Sequence, residues 1–389
     1  MIGCPVCLGS SARPLATLPA MPLVGCQFAR SRSEAVGAGL GTIELVLCKG
    51  CGHLYNRAFE PERVAYTSDY DNALHHSARF RAELEAIADR LIQAHDLRGK
   101  SIVEIGCGGA EFLSFMCARG GNRGVGYDPT QKQKKARVGA GSLTIIPETF
   151  SSKGQAAADA VCALHVLEHL SSLEGTLRQA REAIKVQGLG YFEVPNGLFI
   201  VRDLSVWDLT YEHVSYFLPS SFQRALEQSG FYVRQLTTRF GQQYLVAETS
   251  AAYPSQGFPD APPHADFSDT FPAALAEILA NWRRRLDSLA ANGRRAILWG
   301  AGTKAVSFLN MLRHPADRGI EYLIDINPTK AHRFVPGTAQ EIMPPEFLRE
   351  YAPDVVFVMN PEYLTEIHTL LNSLRVECEV VSVLPAVAP

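Results

Sequence analysis

The run His165-Val166-Leu167-Glu168-His169-Leu170 places two imidazoles and a carboxylate within five residues. Two chemistries use such a set. H-x-x-E-H is the signature of the inverted zincins, where both histidines of one helix hold a catalytic zinc. Alternatively, an imidazole that titrates near neutrality moves a proton in a substrate cleft. A second acid–imidazole pair, Glu212-His213, stands among Trp207, Tyr211, Tyr216 and Phe217. Those aromatics predict a partly enclosed pocket there rather than a solvated loop. A third set is Cys4-x-x-Cys7 and Cys48-x-x-Cys51, with forty residues between the pairs. Each pair forms a tight turn, with Pro5 or Gly50 inside it, and two such turns hold one tetrahedral zinc ion. A zinc closed by four thiolates does no chemistry, so this ribbon is expected to brace or lid something. Cys26 has no partner at ligand spacing and reads as packing, and His53 is not needed as a fifth ligand.

The elements around the hexapeptide decide between its two readings. From Phe80 to Leu97 apolar residues recur at helical spacing (Phe80, Leu84, Ile87, Ala88, Leu91, Ile92). Ser101 to Gly120 then reads as a buried strand, a glycine turn and a helix. A strand ends at Asp128, twenty-four residues beyond Glu104. Another strand, Ala160 to Leu164, runs directly into the hexapeptide. A helix from Ser172 to Val186 and a strand from Gly190 to Val194 follow. Strands alternating with helices predict a parallel, doubly wound sheet.

The turn Glu104-Ile105-Gly106-Cys107-Gly108-Gly109-Ala110 is an acid followed by G-x-G, the first motif of class I S-adenosylmethionine methyltransferases. Gly106 and Gly108 let the backbone approach the methionyl part of the cofactor, and Glu104 attracts its ammonium group. Asp128, followed by Pro129, is placed to accept the ribose hydroxyls, as an acid does in NAD sites. A strand-end histidine such as His165 then faces the cofactor, and His169 faces the substrate. Inverted zincins require neither the glycine turn nor the acid after it, so the protease reading recedes.

Residues 251–272 hold five prolines and no period, which predicts a linker. A helix from about Pro272 to Ala291 and a second strand–glycine turn–helix, Arg295 to Leu312, follow it. Gly300-Ala301-Gly302 with Asp325 at the ribose position is an NAD-like pattern. Lys304 at the helix start could meet a phosphate.

Taken in order, CPVC with CKGC, VEIGCGGAEFL, LHVLEHL, YEHVSYF, and WGAGTKA with DINPTKAHRFVPG resemble the nucleotide-sugar C-methyltransferases, which build branched deoxysugars. The resemblance covers nearly the whole chain. It implies a substrate site lined by His169 and Glu212-His213. His213 would be the base that removes a proton beside a ketone, and neighbours such as Tyr211 would help hold the enolate. It also implies that the C-terminal glycine turn holds the nucleotide of the substrate and no cofactor. The chain departs from the family pattern at Thr210, where a tyrosine is usual, and along Tyr70–Phe80. An oxygen or nitrogen acceptor therefore stays open, as does an oxidoreductase or binding module with a degenerate methyltransferase part.

The expected architecture is α/β. A zinc ribbon (1–65) precedes a class I methyltransferase sheet (66–250), a linker (251–272) and a Rossmann-like substrate-holding domain (273–389). The cofactors expected are S-adenosylmethionine and a structural zinc. A net charge of −3 gives no electrostatic reason to expect nucleic acid or an anionic membrane. Nine cysteines, an odd count without an export signal, favour reduced thiols in the cytoplasm. The partner expected is a small molecule, a nucleotide sugar on the resemblance, taken up by a monomer or homodimer.

Overall fold

The structure is a computed structural model that describes residues 2–67, 69–154, 156–252, 267–313 and 319–384. In chain order its strands are β1 (Ala12–Pro22), β2 (Leu40–Cys48), β3 (Leu54–Asn56), β4 (Ser101–Ile105), β5 (Arg123–Tyr127), β6 (Lys134–Val138), β7 (Gly141–Ile146), β8 (Ala158–Leu164), β9 (Ile184–Pro195), β10 (Ser215–Tyr216), β11 (Tyr232–Arg239), β12 (Tyr244–Ser250), β13 (Ala296–Trp299), β14 (Ile320–Ile324), β15 (Glu341–Met343), β16 (Val355–Val358) and β17 (Glu379–Ser382).

They form three sheets, ordered β1-β2-β3-β10, β11-β12-β9-β8-β4-β5-β7-β6 and β15-β14-β13-β16-β17. The middle sheet is parallel from β9 through β7 and carries antiparallel strands at both ends. Its parallel strands β4 and β8 are buried along nearly their whole length, as expected of strands covered on both faces. The third sheet is parallel throughout.

The amphipathic segment after the ribbon forms a helix over Ala78–Ala94. Ser77 caps it by accepting from the Phe80 N–H, and Phe80, Leu84, Ile87, Ala88, Leu91 and Ile92 are buried on one face. The helix expected over 172–186 spans Leu173–Ala183, and β9 starts at once at Ile184, six residues earlier than expected. Between β5 and β7 the chain makes the β6–β7 hairpin rather than a helix. Most of the proline-rich linker, 253–266, lies outside the described residues. Its end is already structured, because the next helix begins at Phe271 with Phe267 and Phe271 buried.

The ribbon is not self-contained. Strand β3 pairs antiparallel with β10, the strand that directly follows Glu212-His213-Val214. The same join continues through the main chain. The Asn56 N–H donates to the Val214 carbonyl at 3.0 Å, and the Val214 N–H donates to the Glu168 carbonyl at 2.9 Å. Three segments distant in sequence are thereby stitched edge to edge. No helix among the described residues is long and apolar enough to cross a membrane.

Candidate active site

A single cavity of about 1000 Å³ opens between the C-terminal ends of the middle and third sheets. Such crevices are where open α/β sheets bind ligands. The glycine turn after β4 and the glycine turn after β13 both face it.

The first turn is built on backbone that favours glycine. Gly106 has φ +65° and Gly108 φ +49°. A Cβ on Gly106 would lie 2.3 Å from Val166 Cγ2, whereas one on Gly108 would meet nothing within 4 Å. Gly106 thus allows the hexapeptide loop to approach, and Gly108 leaves open space for a ligand. Ala110, in the third position, also has positive φ (+63°), a conformation that glycine adopts without strain. Asp128 lines the cavity and ties the turn. Its Oδ2 accepts from the Gly108 N–H at 2.9 Å, and Oδ1 accepts from the Thr130 N–H and hydroxyl. Oδ2 keeps a further lone pair for a ribose hydroxyl. Pro129 also lines the cavity. Glu104 stands at its floor, 4% exposed, with Oε2 buried and without a hydrogen-bond partner. Burial, reinforced by the nearby Glu111 charge, raises its carboxyl well above the usual range. An orphaned acceptor beneath an open glycine cradle fits the ammonium end of S-adenosylmethionine.

The hexapeptide forms the next wall. His165 leaves the end of β8 with φ +55°, a strained conformation for a non-glycine residue and one that clusters at functional sites. Its ring meets Tyr244 edge-on at 4.4 Å, and Nε2 lies 3.0 Å from Glu193 Oε1. Burial opposes the charged ring, but Glu193 outweighs it and the His165 pKa is raised. Leu167–His169 is one tight 3₁₀ turn, so the two histidines do not share a helix as in an inverted zincin. That turn swings Glu168, left without a role by the sequence, into the interior. The side chain is 1% exposed with Oε2 unpartnered, and burial pushes its pKa up to about 7.

His169 and His213 meet edge-to-face with ring centroids 4.7 Å apart, and both line the cavity. Burial lowers His169 to about 4 and His213 well below its ordinary value, so both rings are neutral at pH 7. His213 Nδ1 is buried without a partner, and the residue lines the cavity. Glu212 is fully buried and faces the ribbon. Its Oε1 accepts from the Gly25 N–H at 2.9 Å, and burial pushes it up to about 7.

Tyr66 joins these groups, a residue that spacing and motif do not single out. Its hydroxyl is 2.8 Å from His169 Nδ1 and donates to Glu212 Oε2 at 3.3 Å. The only local hint is an aromatic residue just past the ribbon (1–65).

Several expectations need correction. Tyr211 does not reach the cavity. It is fully buried against Phe59 and over Gly41, and its hydroxyl accepts from the Glu60 N–H. Trp207, Tyr216 and Phe217 are likewise core residues rather than pocket walls. Trp207 packs on Phe308 of the third-sheet domain, the Tyr216 hydroxyl donates to the Thr210 carbonyl, and Phe217 packs on His53. Lys304 is committed to an ion pair with Asp208 and is not free for a phosphate. Asp325, at the second turn, accepts from the Ala301 and Asn327 N–H groups and lines the cavity.

At the far end of the ribbon the four expected cysteines converge. Cys4 Sγ lies 3.5 Å from Cys51 Sγ and Cys7 Sγ lies 3.4 Å from Cys48 Sγ, with all four sulfurs within 4.8 Å of one another. Metal–sulfur bonds of about 2.3 Å place tetrahedral sulfurs ~3.8 Å apart, so this donor set fits zinc. Cys26 is buried in the core and His53 bonds Ser221, so neither competes.

The sheet, the glycine turn with its acid and the histidine-lined wall define an S-adenosylmethionine-dependent methyltransferase. Comparison with known proteins agrees. Residues 74–236 match the family model of a methyltransferase domain, and residues 237–385 match that of a C-methyltransferase C-terminal domain. The chain is thus similar, over successive parts of its length, to methyltransferases that join these two parts. The boundary between the two models falls inside β11, although β11 and β12 complete the middle sheet. The C-methyltransferase NovU of Streptomyces niveus is 22% identical over 397 residues, covering 94% of this chain and 90% of that protein. A ubiquinone biosynthesis O-methyltransferase of Methylobacterium sp. (strain 4-46) is 28% identical over 196 residues, covering 46% of this chain and 74% of that protein. Among solved structures, magnesium protoporphyrin IX methyltransferase (ChlM) of Synechocystis PCC 6803 with bound SAH overlaps at a TM-score of 0.35. It is 14% identical, covering 45% of this chain and 84% of that one.

Proposed function

We propose that the enzyme methylates a carbon beside the ketone of a nucleotide-linked keto-deoxysugar, with His213 as the base. The observation that carries this reading is the shared cavity. A neutral histidine pair stands in the same enclosure as the cofactor turn and the second glycine turn. S-adenosylmethionine supplies an already activated methyl group, so this chain must supply alignment, a base and a dry setting.

A carbon acid beside a carbonyl needs a neutral, positioned base, and burial keeps His213 in that form. The proton moves from carbon to the imidazole, and the C–H electron pair becomes the enolate. S-adenosylmethionine held at the glycine turn would supply the methyl group to that carbon, and the imidazole returns its proton to solvent. His169 flanks the base, and Glu212 anchors its loop through Gly25. Tyr66 and Glu168 are the groups at hand for the substrate oxygen. Glu104, Gly106, Gly108, Asp128, Pro129 and His165 form the donor side.

The nucleotide end is assigned to the third-sheet domain. Arg333 lines the cavity there and, among the described residues, makes no side-chain hydrogen bond or ion pair, which suits a diphosphate. Because the second turn opens into the same enclosure as the first, it serves the methyl acceptor rather than a separate redox site. Carbon is favoured over oxygen as acceptor because the C-methyltransferase match spans both halves, whereas the O-methyltransferase match covers less than half the chain. Cys4, Cys7, Cys48 and Cys51 are assigned to a structural zinc. All nine cysteines are free, which supports a reducing, cytoplasmic setting. The test is a mass-spectrometric screen of 4-keto nucleotide sugars with the methyl donor. A product one methyl heavier on ring carbon, lost in His213→Ala, is expected. A methyl ether or methylamine, or full turnover by His213→Ala, would overturn the reading.

A further inference from the structure

Glu168, His169 and His213 each offer one donor atom, and the three lie within 4.8 Å of one another. Several features beyond proximity point to a ligand. Glu168 Oε2 and His213 Nδ1 are both buried and have no hydrogen-bond partner, an expensive state for polar atoms. The Glu168 side chain is 1% exposed and His213 9%. His169 is oriented as metal-binding histidines are. Its Nδ1 lies 3.2 Å from the Glu212 carbonyl, which can only accept, so Nδ1 carries the hydrogen. That leaves the lone pair on Nε2, which stands 3.9 Å from Glu168 Oε1. The three residues line the cavity, so an ion has a path in.

We propose that Glu168, His169 and His213 form a second metal site, distinct from the cysteine cluster, that takes a borderline divalent cation such as Zn²⁺, Co²⁺ or Ni²⁺. Two imidazoles and one carboxylate select such ions over Mg²⁺ or Ca²⁺. Donor bonds of about 2.1 Å require the three atoms to close to ~3–3.5 Å apart, a side-chain movement of ~1 Å. Cation and base are mutually exclusive. If Nδ1 of His213 binds the ion, Nε2 keeps its hydrogen and cannot accept a proton. If Nε2 binds it, the accepting lone pair is taken. An occupied site therefore silences proton abstraction, a consequence that rests on His213 being the base, whereas the binding itself does not.

The test uses the full chain with one zinc per molecule, titrated with Co²⁺ alone. The expected result is one further ion per chain by elemental analysis, with visible ligand-field bands. X-ray absorption should report nitrogen and oxygen ligands with imidazole scattering and no sulfur. Glu168→Gln and His213→Ala should each weaken Co²⁺ binding at least tenfold, with S-adenosylhomocysteine affinity retained as the check on folding. No second ion on wild type, a sulfur shell, or variants that bind Co²⁺ as tightly as wild type would overturn the site. If Co²⁺ binds as expected but turnover is untouched, the metal site stands and the assignment of His213 as base fails.

Discussion

Replacing Gly106 by alanine should damage stability and cofactor binding together, whereas replacing Gly108 should damage mainly binding. Both residues have positive φ, +65° and +49°. A Cβ in that region costs about 1–2 kcal/mol in either variant. The difference lies in the surroundings. At Gly106 the new methyl would sit 2.3 Å from Val166 Cγ2, against an ordinary carbon contact of about 3.5–4 Å. Val166 must retreat by more than ~1 Å, and overpacking of this kind adds about 1–3 kcal/mol. At Gly108 nothing lies within 4 Å, so no such penalty is added. The methyl instead enters the space reserved for cofactor. Chemical denaturation should therefore rank Gly106→Ala below Gly108→Ala by ~1–3 kcal/mol. Calorimetry with S-adenosylhomocysteine should show at least a tenfold loss in both, about 1.4 kcal/mol. Because Val166 adjoins His165, the first variant should also lower turnover at saturating cofactor. Equal stability of the two variants, or unchanged affinity in both, would refute this account of the turn.

Further outcomes follow from the same geometry. Asp159 accepts from the Ser101 N–H and hydroxyl and pairs with Lys185 at 2.7 Å, pinning β4, β8 and β9 together. Burial opposes its charge, but these partners hold its pKa down at about 2 from 3.8. A depressed acid contributes stability above its unfolded pKa and loses it as pH falls through the folded one. At ~1.4 kcal/mol per unit, Asp159→Asn should cost about 2 kcal/mol at pH 7, with the gap to wild type closing between about pH 4 and pH 2 in urea titrations. If the cysteine cluster holds zinc as proposed, chelating it should lower turnover by more than tenfold while leaving S-adenosylhomocysteine affinity within about twofold. The ribbon braces the Glu212-His213 loop through β3–β10 and Gly25, and it does not form the cofactor turn. A parallel fall in affinity would contradict that division.

What the sequence revealed was local. Glu104, Gly106, Gly108 and Asp128 sit at fixed offsets around one turn, so their convergence follows from a strand–turn–helix and a second parallel strand. The cysteine pairs are legible for the same reason. Contacts between distant segments were not. Tyr66 reaches His169 across 103 residues, and Lys304 meets Asp208 across 96. Neither pairing leaves a periodic trace. The aromatic run Trp207, Tyr211, Tyr216 and Phe217 suggests pocket walls because composition shows bulk but not which face it turns. They fill the joints between the ribbon, the middle sheet and the third sheet. Glu168 is not singled out by spacing, because a helix would set it beside His165 whatever its burial, whereas the observed 3₁₀ turn buries it.

The central claim is that His213 takes a proton from carbon, and solvent exchange measures this step without the transfer. In D₂O, with S-adenosylhomocysteine bound and a 4-keto nucleotide sugar supplied, NMR should show deuterium entering the carbon beside the ketone. Wild type should exchange it at least a hundredfold faster than His213→Ala. Equal exchange by both proteins, or methyl transfer by wild type without any exchange-competent proton, would contradict the account.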